Sequence, residues 1–393
     1  MCRSWLRNPY QSPPRVGRFT VLAVLVVAFC PGLYASRPER RPESRDYYVS
    51  AKGNDSGNGS VAHPWATIQR AAAAARAGVT IHVAPGKYSG PIVTEASGTG
   101  EAPVRYISEQ RWGATISGPS GQATWSNSGS YAQIEGFDLT GPGCIGIANS
   151  GAHVRIARNH VHDLAARDCG DNGGAGIDNV SQSAVESEIV ANMVNQIGDC
   201  RHPNRTVHGI YHSSPGGRIR NNLVIANQGW GIHLWHGATH VEIANNLVYG
   251  NGYGGIVVGA GESPVPVINE QTIVSNNIVM RNGYGIMEFG NTGSGNRYLN
   301  NIVYSNTSTA LMLLTGVASG TINANPRFLL EGTDFHLLAS SPAIDAGTPE
   351  AGPEEDFDGN SRPQLKGWDI GPYEWTPQAT ATASEQAKTG GRR

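Results

Sequence analysis

The clearest repeat in the chain lies between residues 219 and 256, which read IRNNLVIANQGWGIHLWHGATHVEIANNLVYGNGYGGI. It contains one pattern twice, 24 residues apart: an asparagine, a valine two positions later and a Gly-Ile pair nine positions later. A unit this short, with alternating apolar residues and no helical stretch, cannot bury its own apolar side. We therefore expect such units to stack as coils, with each strand pairing in parallel with its copy in the next coil.

The same pattern recurs along most of the chain. The repeated asparagines are Asn159, Asn192, Asn222, Asn246, Asn277 and Asn301, and a valine follows each of them by two residues. The Gly-Ile pairs begin at Gly146, Gly176, Gly209, Gly231, Gly255 and Gly285. This spacing predicts an all-β parallel β-helix with coils of about 22 to 24 residues and occasional insertions. We expect the asparagines to form a ladder at a turn and the Ile and Val columns to fill the interior.

Composition and charge exclude several other classes of protein. The chain has 51 glycines and 29 asparagines, is 39% hydrophobic and carries only 15% charged residues. Such values indicate many tight turns between short buried strands, and they disfavour helical bundles, coiled coils and global disorder. The net charge of −2 gives no support to a nucleic-acid partner.

The regions outside the repeats have distinct compositions. Residues 1–35 carry four arginines ahead of an apolar run at 19–29, which predicts a signal peptide and a secreted protein. Its removal would take the net charge from −2 to −6. We expect a linker at 36–46, a strand and helix cap at 47–88 with its helix at 64–77, the β-helix at 89–330, an irregular C-terminal cap at 331–376 and a disordered tail at 377–393.

Short motifs occur at both ends of the repeat region. The N-terminal ones are YYVS at 47–50, GNDSG at 53–57, PWATI at 64–68 and VAPGKY at 83–88, and the C-terminal ones are SPAIDAG at 341–347, DFDG at 356–359 and DIG at 369–371. In these motifs the chain resembles right-handed parallel β-helix proteins of the pectate-lyase superfamily. The resemblance implies a right-handed helix, but it does not select a reaction, because that superfamily includes lyases, hydrolases and epimerases.

One outward face concentrates polar and aromatic residues. Aligning the coils on their Gly-Ile pairs places Asp178, Tyr211 and His233 in one column of three consecutive coils, and five of the 12 histidines fall between positions 208 and 240. We predict that this column and His208 are catalytic, that Trp235 offers an aromatic surface to a sugar ring, and that the glycines leave a low floor for a sugar chain. Further substrate-binding candidates are His212, His236, Arg220 and Asn179. The alternative is a solvated ladder of outward side chains, with His208 and His212 turned inward.

Three functions are compatible with the residues of this face. A lyase that cleaves a uronic-acid polymer by β-elimination needs a base, an acid and a group that neutralises the uronate. The four lysines lie outside the repeats, so His233 or His208 would be the base and Tyr211 the acid or base. The neutralising candidates are Asn179, His212 and Arg220, or Ca²⁺ if Asp168, Asp171 and Asp178 converge on one loop.

A glycoside hydrolase would instead need two carboxylates, namely Asp178 with either Asp171 or Glu288, and a neutral sugar would suit the acidic charge better. A non-catalytic glycan-binding module is the third function, supported by an apolar outer face at Val257, Met287 and Phe289. In each case we expect a monomer whose partner is a polysaccharide. No cofactor other than calcium is indicated.

Three cysteines remain after the leader. Cys169 and Cys200 lie in the insertions of adjacent coils, and we predict a disulfide between them in an oxidising compartment. Cys144 is then expected to be a free, packed thiol.

Overall fold

The computed structural model describes residues 46–166, 169, 173–261, 267–350 and 352–377, and nearly all of its regular structure consists of short strands. The first elements in chain order are β1 (Asp46–Val49), α1 (Ile68–Ala72), β2 (Thr80–Val83), β3 (Gly86–Ser89), β4 (Ile92–Thr94), β5 (Val104–Ser108), β6 (Ala114–Ser117), β7 (Ala123–Asn127), β8 (Ala132–Glu135), β9 (Asp138–Gly141) and β10 (Ile145–Asn149). The next are β11 (Arg155–Ala157), β12 (His160–Leu164), β13 (Gly174–Asn179), β14 (Glu188–Val190), β15 (Met193–Asn195), β16 (Val207–His212), β17 (Arg218–Arg220), β18 (Leu223–Ile225), β19 (Trp230–Leu234), β20 (Glu242–Ala244) and β21 (Leu247–Tyr249). The last are β22 (Gly254–Ala260), β23 (Ile273–Ser275), β24 (Ile278–Met280), β25 (Tyr284–Gly290), β26 (Arg297–Leu299), β27 (Ile302–Tyr304), β28 (Leu311–Met312), β29 (Val317–Ser319), β30 (Phe328–Leu330) and β31 (Asp334–Leu337).

Three parallel sheets run along the stack of coils. The first sheet has the order β1-β2-β5-β8-β11-β14-β17-β20-β23-β26-β29, the second β3-β6-β9-β12-β15-β18-β21-β24-β27 and the third β4-β7-β10-β13-β16-β19-β22-β25-β28. The chain passes from the first to the second to the third sheet in each coil, so every strand pairs with its copy one coil further on. The predicted right-handed parallel β-helix is confirmed.

The predicted interior columns are confirmed as well. The repeated valines and the isoleucines of the Gly-Ile pairs are each at most 1% exposed. The glycines of those pairs also face inward: a Cβ on Gly209 would lie 2.4 Å from Val224 Cγ1, and one on Gly231 2.3 Å from Val248 Cγ1. The glycine column therefore makes room for the valines of the second sheet. This corrects the prediction that it forms a low outer floor for a sugar chain.

The asparagine ladder is confirmed at the corner between the first and second sheets. From Asn159 to Asn301, each Nδ2 donates to the Oδ1 of the next asparagine over 2.9 to 3.1 Å. The residue before a ladder asparagine has a positive φ, such as 53° at Asn221 and 55° at Asn245. Because asparagine tolerates this left-handed conformation, the chain turns sharply there. A second ladder, not identified from the sequence, joins Asn227, Asn251, Asn282 and Asn306 at the next corner.

Replacing Asn246 by alanine is expected to lower the free energy of unfolding by about 3 kcal/mol, because several buried groups lose their partners. Asn246 Oδ1 accepts from the backbone and side chain of Asn222 at 2.8 and 2.9 Å, and its Nδ2 donates to Ile219 O at 2.8 Å and to Asn277 Oδ1 at 2.9 Å. Urea unfolding followed by circular dichroism measures the effect. Asn58→Ala in an exposed turn is the control, and equal losses in the two variants would contradict a stabilising ladder.

The C-terminal segment packs along the side of the stack. Phe335, Phe357 and Ile370 are buried against outward residues of the second sheet, among them Leu247 and Ile278. Asparagines that precede the ladder hold the segment by donating to its carbonyls, as Asn245 does to Gly371 O at 3.0 Å, Asn276 to Thr348 O at 2.7 Å and Asn300 to Ala346 O at 2.9 Å. In an Asn-Asn pair such as Asn245-Asn246, the first asparagine therefore binds the C-terminal segment and the second forms the ladder.

The N-terminal helix is shorter than the predicted span of 64–77. Trp65 is in a β-bridge with Val49, and the helix begins only after Thr67, whose hydroxyl accepts from the Arg70 N–H at 3.1 Å. Its buried face includes Ile68, which belongs to the interior core. Among the described residues no helix is long and apolar enough to cross a bilayer. The predicted leader and nearly all of the predicted tail lie outside the described residues.

Candidate functional site

The candidate site lies on the outer surface of the third sheet, on β13, β16 and β19. The parallel register pairs Asp178 with Tyr211 and Tyr211 with His233, as the alignment of Gly-Ile pairs predicted. Adjacent strands of a sheet are about 4.8 Å apart, so these three side chains are neighbours along the stack. His208 lies on β16, opposite Ala175 of β13.

Three rings of this surface contact one another. His208 stacks on Tyr211 with a centroid separation of 5.2 Å and an interplanar angle of 20°. The His233 ring stands edge-on to both, 4.5 Å from His208 and 5.1 Å from Tyr211, and the closest ring nitrogens of the two histidines are 3.3 Å apart. His236 lies 6.2 Å from Tyr211. We call Asp178, His208, Tyr211, His233 and His236 the histidine patch.

Burial keeps His208, His233 and Tyr211 uncharged at neutral pH. Loss of solvation lowers the pKa of His208 to about 3, and it lowers the pKa of His233 well below the usual range, with a smaller contribution from the neighbouring histidines. Burial and the Asp178 carboxyl raise the pKa of Tyr211, so its phenol stays protonated. Neutral pH therefore leaves unprotonated imidazole nitrogens beside a protonated phenol.

Asp178 has an unusual environment within the patch. Burial raises the pKa of its carboxyl to about 7, from an ordinary value of 3.8. Its Oδ1 is buried and has no hydrogen-bond partner among the described residues. A carboxyl that titrates near neutrality beside a phenol and an imidazole is typical of sites that transfer protons.

Trp235 borders the patch on one side. Its ring is edge-on to His233 at 5.4 Å and stacks on Phe289 at 5.9 Å. The ring also lies close over Gly259, where a Cβ would be 2.7 Å from Trp235 Cζ3. Because Phe289 is 56% exposed, the pair presents aromatic surface to solvent, which suits the apolar face of a sugar ring.

A second aromatic group on the same sheet was not identified from the sequence. The ring centroid of Trp230 lies 6.2 Å from that of His233 and 6.1 Å from that of Tyr284, and the Trp230 ring covers Gly254. The signal was present, because His208, Trp230 and Tyr284 each come directly before a Gly-Ile pair and so share a column. Trp230 and Tyr284 pack in one cluster with Val257 and Met287, which are only 1% and 7% exposed. Of the three residues of the predicted apolar outer face, only Phe289 is therefore exposed to solvent.

Two of the predicted substrate-binding residues lie inside the stack. Asn179 and His212 are fully buried, and Asn179 Nδ2 donates to His212 Nδ1 at 3.1 Å. His212 Nε2 donates in turn to Gly216 O at 3.0 Å. Successive residues of a strand point to opposite faces, so the neighbours of the outward Asp178 and Tyr211 point inward. The prediction of substrate contact is therefore wrong for both residues.

Arg220 and Glu288 are also absent from the outer surface of the third sheet. Arg220 lies on β17 of the first sheet, where its side chain is 15% exposed and forms an ion pair with Glu242. Glu288 is fully buried, and its carboxylate accepts from the backbone N–H groups of Leu314 and Thr315, both at 2.7 Å. Neither the proposed uronate contact of Arg220 nor the proposed hydrolytic role of Glu288 is compatible with these positions.

The cysteine pairing differs from the prediction. Cys144 forms a disulfide with Cys169, with 5.6 Å between their Cα atoms, and Cys200 has a free thiol. Cys144 directly precedes β10, and Cys169 precedes β13, the strand that pairs with β10. The bridge therefore links the start of β10 to the segment that precedes the next strand of the same sheet. The tentative calcium ligands Asp168 and Asp171 lie outside the described residues, so calcium binding stays a prediction.

Comparison with known proteins supports the fold. Residues 110–272 match the family described as right handed beta helix region, and residues 51–95 match one described as protein of unknown function (DUF1565). The crystal structure of pectate lyase Pel9A is 18% identical, with 85% of this chain and 97% of that chain covered at a TM-score of 0.59.

Two other solved structures are less similar. The A-module of the mannuronan C-5 epimerase AlgE4 of Azotobacter vinelandii is 14% identical, with 62% of this chain and 68% of that chain covered at a TM-score of 0.42. An alginate lyase from Paenibacillus sp. str. FPU-7 is 17% identical, with coverages of 65% and 93% and a TM-score of 0.35. No curated protein sequence matches the chain significantly.

Proposed function

We propose that this right-handed parallel β-helix protein, which has the fold of the pectate-lyase superfamily, is a secreted carbohydrate-active enzyme. We assign its reaction as cleavage of a uronic-acid polysaccharide by β-elimination. The observation that carries the proposal is the contact between His233 and Tyr211, a proton acceptor and a proton donor held side by side on a solvent-facing sheet. Aromatic surface beside them, at Trp235 and Phe289, fits a sugar ring.

The elimination step needs an unprotonated base and a protonated acid, and the pair His233 and Tyr211 supplies these two forms. A neutral imidazole of His233 takes the proton from C5 of the uronate, the C4–O bond breaks, and a double bond forms between C4 and C5. The Tyr211 phenol, protonated because its pKa is raised, gives its proton to the leaving glycosidic oxygen. His208 is 6% exposed, so its role is to contact and orient the other two rings.

The reaction also requires a group that neutralises the uronate carboxylate. Arg205 is the cationic side chain closest in sequence to the patch, three residues before His208 and thus within about 10 Å of it along the backbone. Arg205 is exposed and forms no ion pair with the described part of the chain. We therefore propose that Arg205 takes the role that Arg220 was predicted to have.

The function is tested by incubating the purified mature protein with acidic and neutral polysaccharides while near-ultraviolet absorbance and reducing ends are followed. New absorbance together with reducing ends on a uronic-acid polymer supports the lyase. Reducing ends without new absorbance would indicate a hydrolase, which would need Asp171 as the partner of Asp178. Binding without either signal would indicate a glycan-binding module.

Trp235→Ala is expected to raise KM at least about fivefold and to change kcat by less than about twofold, because the ring contacts substrate and takes no part in proton transfer. Steady-state kinetics on the polymer identified above measure both constants. Tyr48→Ala is the control, since Tyr48 stacks on His82 at 5.0 Å on the first sheet. A loss confined to kcat in Trp235→Ala would contradict a binding role.

A further inference from the structure

A second cluster of chemically active side chains lies on the second sheet, apart from the histidine patch. Asp138 begins β9, and His160 and His162 lie on β12, the next strand of that sheet. His160 pairs directly with Asp138 in the parallel register. His162 lies two residues further along and so points to the same outer face. The coil geometry thus brings two imidazoles and one carboxylate together.

The three side chains converge on one point. Asp138 Oδ1 is 3.2 Å from His160 Nδ1 and 2.9 Å from His162 Nε2. One potential ligand atom from each residue lies within 4.8 Å of the others, and the two imidazole rings stack with their centroids 4.0 Å apart. Two ring nitrogens and one carboxylate oxygen are a common donor set for divalent transition metals in proteins.

The ring nitrogens that face away from this point are held by oxygen acceptors. His162 Nδ1 is 2.7 Å from Asp163 Oδ2, and His160 Nε2 is 2.9 Å from Asn195 Oδ1. Asp163 and Asn195 can each accept the N–H of an imidazole, which would leave the other ring nitrogen free to coordinate an ion in place of its hydrogen bond to Asp138. Histidines that bind metals almost always have such a partner on their second nitrogen.

The surroundings leave one side of the cluster accessible. The side chains of Asp138, His160 and His162 are 17%, 20% and 20% exposed, so an ion could enter and keep a water molecule as a further ligand. Trp112 packs 4.9 Å from the His160 ring and limits its movement. The cluster is therefore both pre-organised and open on its solvent side.

We propose that Asp138, His160 and His162 bind one divalent transition-metal ion, of which Zn²⁺ fits the nitrogen and oxygen donors best. The ion is coordinated by His160 Nδ1, His162 Nε2 and the Asp138 carboxylate, with water in the fourth position. Asp163 and Asn195 act as positioning residues through the histidines. Since the ligands come from two successive coils, the ion cross-links β9 and β12.

Binding is measured by titrating Zn²⁺ into chelator-treated, tag-free mature protein in a calorimeter, with metal analysis after gel filtration. We expect one Zn²⁺ per chain, binding at least about 100-fold weaker in His162→Ala, and about tenfold weaker in Asp163→Asn, which retains all three ligands. Thermal unfolding provides a second readout, because an ion that binds only the folded chain raises the midpoint as its concentration rises.

His336→Ala is the matched control. His336 lies 2.6 Å from Asp334 and 2.9 Å from Asp358, so it is an imidazole between carboxylates without a second histidine. Its replacement should leave Zn²⁺ binding unchanged. No saturable binding to the unmodified protein would mean an ion-paired triad only and would overturn the proposal. Binding that persists undiminished in both His162→Ala and Asp138→Asn would overturn it as well.

Discussion

Tyr211→Phe and His233→Ala are each expected to lower kcat about 100-fold or more, because general acid and base groups contribute factors of this size. The phenylalanine variant removes only the proton that the leaving oxygen receives, and the alanine variant removes the acceptor of the C5 proton. Steady-state rates on the polymer that the substrate panel identifies measure both losses. Thermal unfolding should shift by a few degrees at most, since neither side chain belongs to the interior columns.

Two variants on other surfaces are controls that distinguish the loss of a catalytic group from a nonspecific effect of substitution. Tyr304 lies on β27 of the second sheet and His240 at an exposed turn, and Tyr304→Phe and His240→Ala should retain full activity. Should both Tyr211→Phe and His233→Ala turn over substrate normally, the patch would be a solvated ladder without a catalytic role. Loss of activity together with unfolding would point to a structural role instead.

The fold could be predicted because each structural feature that defines it repeats in the sequence. A ladder asparagine such as Asn222 must occur in every coil for its amide to find a partner, so its spacing reveals the period. The same holds for the buried Ile232 and for Val248 of the interior columns. The register of Asp178, Tyr211 and His233 followed from aligning these landmarks, because parallel stacking preserves position from coil to coil.

The site could be predicted only in part, since which way a side chain faces depends on bends that the period does not show. Alternation holds between Tyr211, which faces out, and His212, which faces in. It fails at Gly209, where a glycine and the following isoleucine both face the interior. For this reason His208 reaches the outer patch although simple alternation from Ile210 would turn it inward.

Insertions between strands were the other source of error. The disulfide joins Cys144 at a strand edge to Cys169 in an insertion, and the sequence separation of two cysteines does not say which edge an insertion covers. Arg220 was proposed because the alignment of coils gave it no charged partner, but it forms an ion pair with Glu242 on the first sheet. Arg205, in contrast, is exposed just before the strand that carries Tyr211.

Asp178→Asn is expected to increase stability at pH 8, because asparagine cannot carry the charge that burial disfavours. The carboxyl has a pKa of about 7 in the folded chain and 3.8 as its ordinary value, so between these pH values the unfolded chain releases its proton while the folded chain keeps it. Folding therefore loses stability as pH rises from about 4 to about 7, up to a limit of about 4 kcal/mol, and loses no more above that.

Asparagine cannot ionise, so Asp178→Asn should match the unmodified protein at pH 4 and unfold about 2 °C or more above it at pH 8. Thermal scans at the two pH values measure the difference, and Asp46→Asn, which removes a carboxylate whose side chain is 47% exposed on β1, is the control. A lower midpoint for Asp178→Asn at pH 8 would mean that the carboxylate is stabilised by a partner. A higher midpoint with lost activity would show that this carboxyl is retained for chemistry at the expense of stability.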